Sequence, residues 1–312
     1  MTGGVDGTDP ALSSAALSSA ALSSGAPSSG APSSGALPLS GCTFGWLHRA
    51  PLADALRSLA AHGVRSIELT TAPPHLFTRH FGSYERKDLA RLLRSLGLGV
   101  VSVNPSFVDI NLVSTNQEIR EVSERQLAAE IDLAADLGAG HVVVIPGRRH
   151  ALAPAPDGAA RAVLDEGLGR LLDRATALGV TIALENSPYG YLGSSADLLE
   201  VVRARDSPRL RVAYDVANAL AQEDPAAGVA RLGRYLALAH VSDTWRTRWA
   251  HTSIGRGEVD FTAFAKALTA TGFAGPTVYE LVDGEDPAPR LPADLAALEK
   301  AGWSTDPPPP IP

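Results

Sequence analysis

The chain contains 312 residues, of which 45% are hydrophobic and 20% are charged, and its formal net charge at pH 7 is −7. This composition suffices for a large core, and the negative charge argues against a nucleic acid or an anionic membrane surface as the main partner. The single cysteine, Cys42, excludes intrachain disulfides and a thiolate metal cluster, so a metal site would use histidines and carboxylates. No apolar run approaches the roughly 20 residues of a membrane span, and we expect a cytoplasmic protein.

The two ends of the chain are predicted to lie outside the folded domain. Residues 11–35 form a five-residue repeat (ALSSA, ALSSA, ALSSG, APSSG, APSSG) that contains no charged or aromatic side chain. Such a segment buries too little apolar surface to offset the entropy lost on ordering, so we predict a disordered tail over residues 1–37. The Pro-rich residues 303–312 are expected to be loose, which leaves residues 38–302 for one domain.

Between these ends, short apolar runs alternate with amphipathic stretches. The predicted strands comprise residues 39–46, 64–70, 99–104, 141–146, 180–186, 210–215, 235–242 and 276–282. The predicted helices between and after them comprise residues 51–62, 84–96, 117–137, 158–178, 195–204, 225–234, 261–271 and 293–301. The helices that end at residues 96, 137 and 178 are each followed directly by a glycine, as helices often are.

Strict alternation of strands and helices predicts an α/β fold with a parallel sheet. Eight such units over about 250 residues match the (β/α)8 TIM barrel, whose active sites lie at the carboxyl ends of the strands. An open doubly wound sheet usually carries a Gly-rich phosphate-binding turn after its first strand. No such turn follows residues 39–46, and we therefore predict the barrel.

The fifth to eighth predicted strands each end near a residue of a type that commonly binds metal ions. These four residues, which lie within about two positions of a strand end, are Glu185, Asp215, His240 and Glu280. In a barrel their strand ends are consecutive around one half of the rim, where three carboxylates would repel one another strongly. A divalent cation would remove this repulsion, and we predict that these residues bind one. The ligand set suits Mn²⁺, Mg²⁺, Co²⁺ or Zn²⁺, and its mixture of nitrogen and oxygen favours Mn²⁺.

Each of these residues has another explanation when it is taken alone. An acidic residue after a strand often caps the next helix, and a single histidine in an apolar strand is usually a hydrogen-bonded core residue. Capping does not require four such residues at four consecutive strand ends, so the set as a whole favours a metal site.

Further residues at or after the ends of the predicted strands are candidates for substrate binding. Glu68 and Asn104 end the second and third strands and are expected to line the opening of the barrel. Arg246 and Arg248 follow the seventh strand and could bind a carboxylate or phosphate of the substrate. The alternative is that both are solvated charges of a loop. His251 would hydrogen-bond the substrate or relay a proton.

The sequence around the four candidate ligands resembles the xylose-isomerase-like barrels over about residues 40–285. The matching segments are ALEN, AYDVANAL, LAHVSD, HTSIGRGEVDF, VYEL and residues 109–147. This broad group contains sugar isomerases and epimerases, hydroxypyruvate and inosose isomerases, some dehydratases and the endonuclease IV nucleases. The resemblance implies that the four candidates take its metal-ligand positions, and it says little about substrate.

One position departs from the resembled pattern. Asn218 lies three residues after Asp215, where many of the similar epimerases carry a histidine that contacts the substrate. The resemblance therefore implies a substrate contact for Asn218, and the departure argues against the usual ketohexose substrates.

We predict an isomerase or epimerase that acts on a small polyol, ketose or hydroxy-keto acid. Chelation of a carbonyl oxygen and a neighbouring hydroxyl by the cation would polarise the C–H bond between them, and a carboxylate would remove the proton to give an ene-diolate. Glu185 and Glu280 come from the fifth and eighth strands, so one could remove the proton and the other return it. The similar epimerases use the corresponding glutamate pair in this way.

Three alternative functions use the same barrel. Loss of a β-hydroxyl from the same intermediate would make the protein a lyase, which the sequence hardly distinguishes from an isomerase. A phosphodiesterase of the endonuclease IV kind would need histidines at the ends of the second and third strands, where residues 68–70 and 102–104 contain none. A non-catalytic barrel that binds a partner should have lost some ligands. The expected partner is thus a small molecule, not a nucleic acid or a membrane. The sequence is also compatible with a homo-oligomer.

Overall fold

The computed structural model describes residues 35–105 and 109–306, and its centre is a closed parallel sheet. The strands are β1 Leu37–Cys42, β2 Ser66–Thr70, β3 Gly99–Asn104, β4 His141–Val144, β5 Thr181–Glu185, β6 Leu210–Asp215, β7 Leu236–Val241, β8 Asp243–Trp245, β9 Arg248–Thr252, β10 Thr277–Tyr279 and β11 Trp303–Ser304. Strands β1 to β7 and β10 pair in parallel, and pairing of β10 with β1 closes the sheet. The predicted (β/α)8 TIM barrel is therefore confirmed.

Helices surround the sheet, and four of them end at the predicted residue. They are α1 Leu52–Ala61, α2 Ser83–Leu96, α3 Gln117–Leu137, α4 Asp157–Leu178, α5 Ser195–Arg205, α6 Val216–Ala219, α7 Pro225–Leu232, α8 Phe261–Ala270 and α9 Leu291–Ala301. Helices α2, α3 and α4 are capped at their carboxyl ends by Gly97, Gly138 and Gly179. All three glycines have positive φ, which a residue without a Cβ adopts at little cost. In the described part of the chain, no helix is both long and apolar enough to cross a membrane.

The barrel interior is filled with small and apolar side chains below its carboxyl end. A buried cluster inside the sheet consists of Cys42, Val143, Ala183, Ala213, Leu238 and Val278. The last four each lie two residues before a candidate metal ligand. Because side chains two apart on a strand point to the same face, the ligands must point into the barrel, one layer above this cluster.

Strands β8 and β9 form an antiparallel hairpin, where the sequence predicts a loop after the seventh strand. A bridge between His251 and Val282 joins this hairpin to the segment after β10. The hairpin therefore lies at the carboxyl end of the barrel, where its residues form part of the wall of a cavity.

The predicted bounds of the first strand were wrong at its end. Strand β1 stops at Cys42, and Phe44–Trp46 forms a 3-10 turn. Trp46 is apolar because it packs in the core between sheet and helices, where it is 4% exposed, rather than because it belongs to a strand.

The predicted ends of the domain also needed correction. Trp303 and Ser304, expected to be loose, form β11, which pairs with β1 through Leu37 and Pro38. Trp303 is 1% exposed and packs edge-to-face against Phe261, so burial of its large ring accounts for the order of this segment. Residues 1–34 and 307–312 of the two predicted tails lie outside the described residues.

A buried carboxyl group joins α3 to the loop after β2. Glu130 is fully buried, and its Oε2 accepts a hydrogen bond of 2.8 Å from the Thr78 hydroxyl. Its Oε1 has no hydrogen-bond partner among the described residues. Burial raises the pKa of Glu130 from 4.5 to about 7, so the folded protein favours the protonated form.

This raised pKa predicts a pH-dependent effect of Glu130→Gln. Because the folded state binds this proton more tightly than the unfolded state, the wild type loses about 3 kcal/mol of stability as the pH rises from about 4.5 to above 7. Glutamine cannot ionise, so the variant should gain stability relative to wild type at pH 8.5 but not at pH 5. Urea unfolding at both pH values measures the difference. The exposed Glu299→Gln is the control, and equal pH profiles for wild type and Glu130→Gln would contradict the assignment.

Candidate metal centre

The structure brings the four predicted ligands together at the carboxyl end of the barrel. Glu185 and Asp215 are the last residues of β5 and β6, His240 lies one residue before the end of β7, and Glu280 follows β10 directly. One ligand atom from each residue lies within 4.8 Å of the others, and all four side chains are buried. The parallel register explains part of this convergence, because Asp215 pairs directly with His240.

The His240 imidazole lies at the centre of the carboxylates. Its Nδ1 is 3.2 Å from Glu185 Oε1, 3.5 Å from Glu280 Oε2 and 3.7 Å from Asp215 Oδ2. Asp215 Oδ1 accepts a hydrogen bond of 2.6 Å from the Asn218 backbone N–H, whereas its Oδ2 is buried without a hydrogen-bond partner among the described residues. A buried carboxylate oxygen without a partner is costly, and a cation among these atoms would supply one. The four residues therefore fit a divalent metal ion.

Burial and mutual repulsion oppose ionisation of the carboxylates. Desolvation, with a contribution from neighbouring carboxylates, raises the pKa of Glu185 to about 7 and raises the pKa of Glu280 well above its ordinary value. Burial lowers the pKa of the His240 imidazole, but the carboxylates of Glu68, Glu280 and Glu185 outweigh it and raise that pKa. A cation and protons would thus compete for the same negative charge.

Two asparagine amides hold the glutamates in place. Asn218 Nδ2 donates to Glu185 Oε1 at 3.2 Å and to the Asn186 carbonyl at 2.9 Å, while its Oδ1 accepts from Trp249 Nε1 at 2.7 Å. Asn104 Nδ2 is 3.4 Å from Glu280 Oε1. The predicted substrate-binding residue Asn218 thus lies at the site with its amide already hydrogen-bonded by protein groups.

A cavity of about 940 Å³ opens above the candidate ligands. Glu185 and Glu280 lie in its wall, and so do the predicted substrate-binding residues Asn104, Asn218 and His251. The remaining wall is largely apolar and includes Phe44, Ile145, Trp245, Trp249 and Val282. The volume is at the upper end of the range of about 300–1,000 Å³ that is usual for small-molecule sites.

Two predicted substrate-binding residues do not line this cavity. Glu68 is fully buried, because β2 continues to Thr70 and leaves Glu68 one layer below the rim, level with Ser102. The guanidinium of Arg246 donates to the Leu220 carbonyl, outside the cavity. Arg248 does line the cavity, and its guanidinium lies 3.7 Å from the centroid of the Trp245 ring.

The role of Trp249 was not predicted from the sequence. This residue of β9 holds Asn218 through its indole N–H and contacts Tyr189 and His251 edge-on, with ring centroids 5.3 and 5.7 Å apart. The only signal in the sequence is the short alternating pattern of the hairpin, which does not reveal which strand end it covers. His251 Nδ1 lies 3.0 Å from the Ser242 hydroxyl and 3.5 Å from Glu280 Oε2, so this ring also lies at the site.

Comparison with known proteins identifies relatives in sequence and a solved structure of similar fold. Over 187 residues the chain is 27% identical to a ketose 3-epimerase of Arthrobacter globiformis, a match that covers 57% of this chain and 62% of that protein. Over 262 residues it is 25% identical to an L-ribulose-5-phosphate 3-epimerase of Shigella flexneri, covering 82% of this chain and 88% of the relative. The crystal structure of a D-tagatose 3-epimerase-like protein superposes with a TM-score of 0.73 at 23% identity, covering 85% of this chain and 99% of that one.

A family model gives the assignment. The model described as xylose isomerase-like TIM barrel matches residues 56–301, which include all four candidate ligands and most of the barrel. The closed sheet of eight parallel strands agrees with that description. The chain belongs to the xylose isomerase-like TIM barrel family.

Proposed function

We propose that this protein is a divalent-metal-dependent epimerase or isomerase of a small ketose, polyol or hydroxy-keto acid. The observation that carries the proposal is that one ligand atom from each of the four residues lies within 4.8 Å of the others, beside an open cavity. Asp215 Oδ2, which has no hydrogen-bond partner within the described part of the chain, lies among these residues. The names of the two relatives, a ketose 3-epimerase and an L-ribulose-5-phosphate 3-epimerase, support the same reaction class.

Glu185, Asp215, His240 and Glu280 would hold the cation. When bound, it would polarise the substrate carbonyl and make the neighbouring C–H bond more acidic, and the mixed nitrogen and oxygen ligands favour Mn²⁺. Asp215 and His240 are fully buried, so their role is to bind the ion rather than to contact substrate.

The two glutamates are placed for proton transfer. Glu185 and Glu280 both line the cavity, and two strands, β6 and β7, separate the strands that carry them. A substrate between them would present opposite faces to the two carboxylates, so one could accept the proton from the carbon next to the carbonyl and the other could return a proton. Asn218 Nδ2 and Asn104 Nδ2 hold the carboxylates in orientation, which reduces the reorganisation that proton transfer requires.

The metal site predicts that Asp215→Asn weakens metal binding. Asparagine keeps an oxygen to accept the Asn218 N–H but removes the charge that faces the other ligands. We expect Mn²⁺ affinity to fall at least about 100-fold, measured by titration calorimetry, with metal content of the purified protein as a second readout. Glu130→Gln, which changes a buried carboxyl on α3, is the matched control. Unchanged affinity in Asp215→Asn would contradict the metal site.

The proton-transfer roles predict deuterium incorporation that depends on both glutamates. In D₂O with saturating Mn²⁺ and a panel of ketoses, inososes and keto acids, the wild type should exchange a proton next to the carbonyl. Glu185→Gln and Glu280→Gln should each lose about 100-fold or more of this exchange, because each removes an acid–base group.

The exposed Glu258→Gln, whose carboxylate binds the Arg246 backbone outside the cavity, is the control for this experiment. Product analysis separates the reaction types. Exchange without loss of water supports an epimerase or isomerase, whereas release of water from the substrate would show a lyase. Absence of exchange with every substrate of the panel would contradict the proposal.

A further inference from the structure

The two ring nitrogens of His240 face different groups. Nδ1 points toward Glu185, Asp215 and Glu280, whereas Nε2 lies 3.1 Å from Oε2 of a fourth carboxylate, that of Glu68. A ligand nitrogen needs a free lone pair, and the other nitrogen of the ring then carries the proton. The proton on Nε2 must therefore find an acceptor, and an ionised carboxylate can only accept.

Glu68 is itself held rigidly by its neighbours. Its Oε2 accepts a hydrogen bond of 2.7 Å from the Ser102 hydroxyl, and its Oε1 accepts one of 2.8 Å from Asn104 Nδ2. The Cys42 thiol lies 3.7 Å from Oε1. The carboxylate thus has a fixed position against the imidazole, with no contact to the cavity.

Stability alone does not explain a carboxylate at this place. Glu68 is 0% exposed, and among the described residues it forms no ion pair with a lysine or arginine. Leu238 and Val278 belong to the apolar cluster of the barrel interior, so an apolar side chain would suit the position better. The pairing of β2 with β3 shifts register between Ile67 and Glu68, an irregularity of the kind that redirects side chains near active sites.

We propose that Glu68 is a positioning residue that accepts the Nε2–H of His240 and so keeps Nδ1 directed at the other three ligands. This inference rests on the proposed metal site, and it assigns Glu68 no contact with substrate. Partners of this kind fix the orientation of metal-binding histidines. Their loss usually lowers metal affinity about 10- to 100-fold. Asn104 extends the network, because its Nδ2 also lies 3.4 Å from Glu280 Oε1.

The first test compares metal affinity in Glu68→Met and Glu68→Gln. Methionine has a similar length but no strong acceptor, so Mn²⁺ affinity should fall about 10- to 100-fold, whereas glutamine keeps an acceptor oxygen and should lose less. Glu130→Gln, the other fully buried glutamate substitution, should leave the affinity unchanged. Titration calorimetry gives the affinities, and thermal melting shows that each variant is folded.

The second test reads the hydrogen bond directly in metal-free protein. In ¹H–¹⁵N spectra the Nε2–H of His240, assigned by its loss in His240→Asn, should appear far downfield in the wild type and in Glu68→Gln. In Glu68→Met this signal should move upfield or exchange away with solvent. A folded Glu68→Met with the wild-type signal, or with wild-type Mn²⁺ affinity, would overturn the inference.

The two tests also separate this inference from the proposed function. A wild type that binds no Mn²⁺ contradicts the proposed function, and the spectra of metal-free protein still decide whether Glu68 holds His240. A wild type that binds Mn²⁺ but exchanges no substrate proton contradicts the reaction, while the affinities of the Glu68 variants still decide the positioning role.

Discussion

The imidazole of His240 lies among four buried carboxylates, and the rest of the site is arranged around this contact. Three of the carboxylates lie within 3.7 Å of Nδ1 and the fourth lies 3.1 Å from Nε2. Such a concentration of negative charge away from water is unfavourable unless positive charge or protons offset it. The barrel makes the arrangement possible, because parallel strands of matched register end at one rim and fix the side chains at their ends without help from mobile loops.

The barrel and the hairpin supply different parts of the site, which also follows from this concentration of buried charge. The barrel strands carry the four candidate ligands, whereas β8, β9 and the segment after β10 supply much of the apolar wall, including Trp245, Trp249 and Val282. Two side chains of β9 link the hairpin to the carboxylates, since the His251 ring also lies 3.5 Å from Glu280 Oε2. Trp249 donates to Asn218, which donates to Glu185, so a change in the hairpin reaches a carboxylate of the site through one amide.

The fold and the convergence of the four candidate ligands could be predicted from the sequence, because both depend on local patterns. Apolar runs gave the strands, and a charged residue at the end of such a run marks the rim of a barrel. The depth of Glu68 could not be predicted in this way, since it depends on how far β2 extends beyond that residue and on its pairing with Ser102. Arg246 and Arg248 are two residues apart in one hairpin, and only the structure shows that Arg248 alone faces the cavity.

The short strand β11 has a consequence for the layout of the whole chain. Trp303 pairs with Leu37, so the first and last strands of the described residues lie side by side at the amino-terminal end of β1, opposite the rim that carries the site. Neighbouring strands are about 4.8 Å apart, so a short linker could join these two ends. The barrel is consequently suited to circular permutation, with new termini opened in an exposed loop between helices and strands.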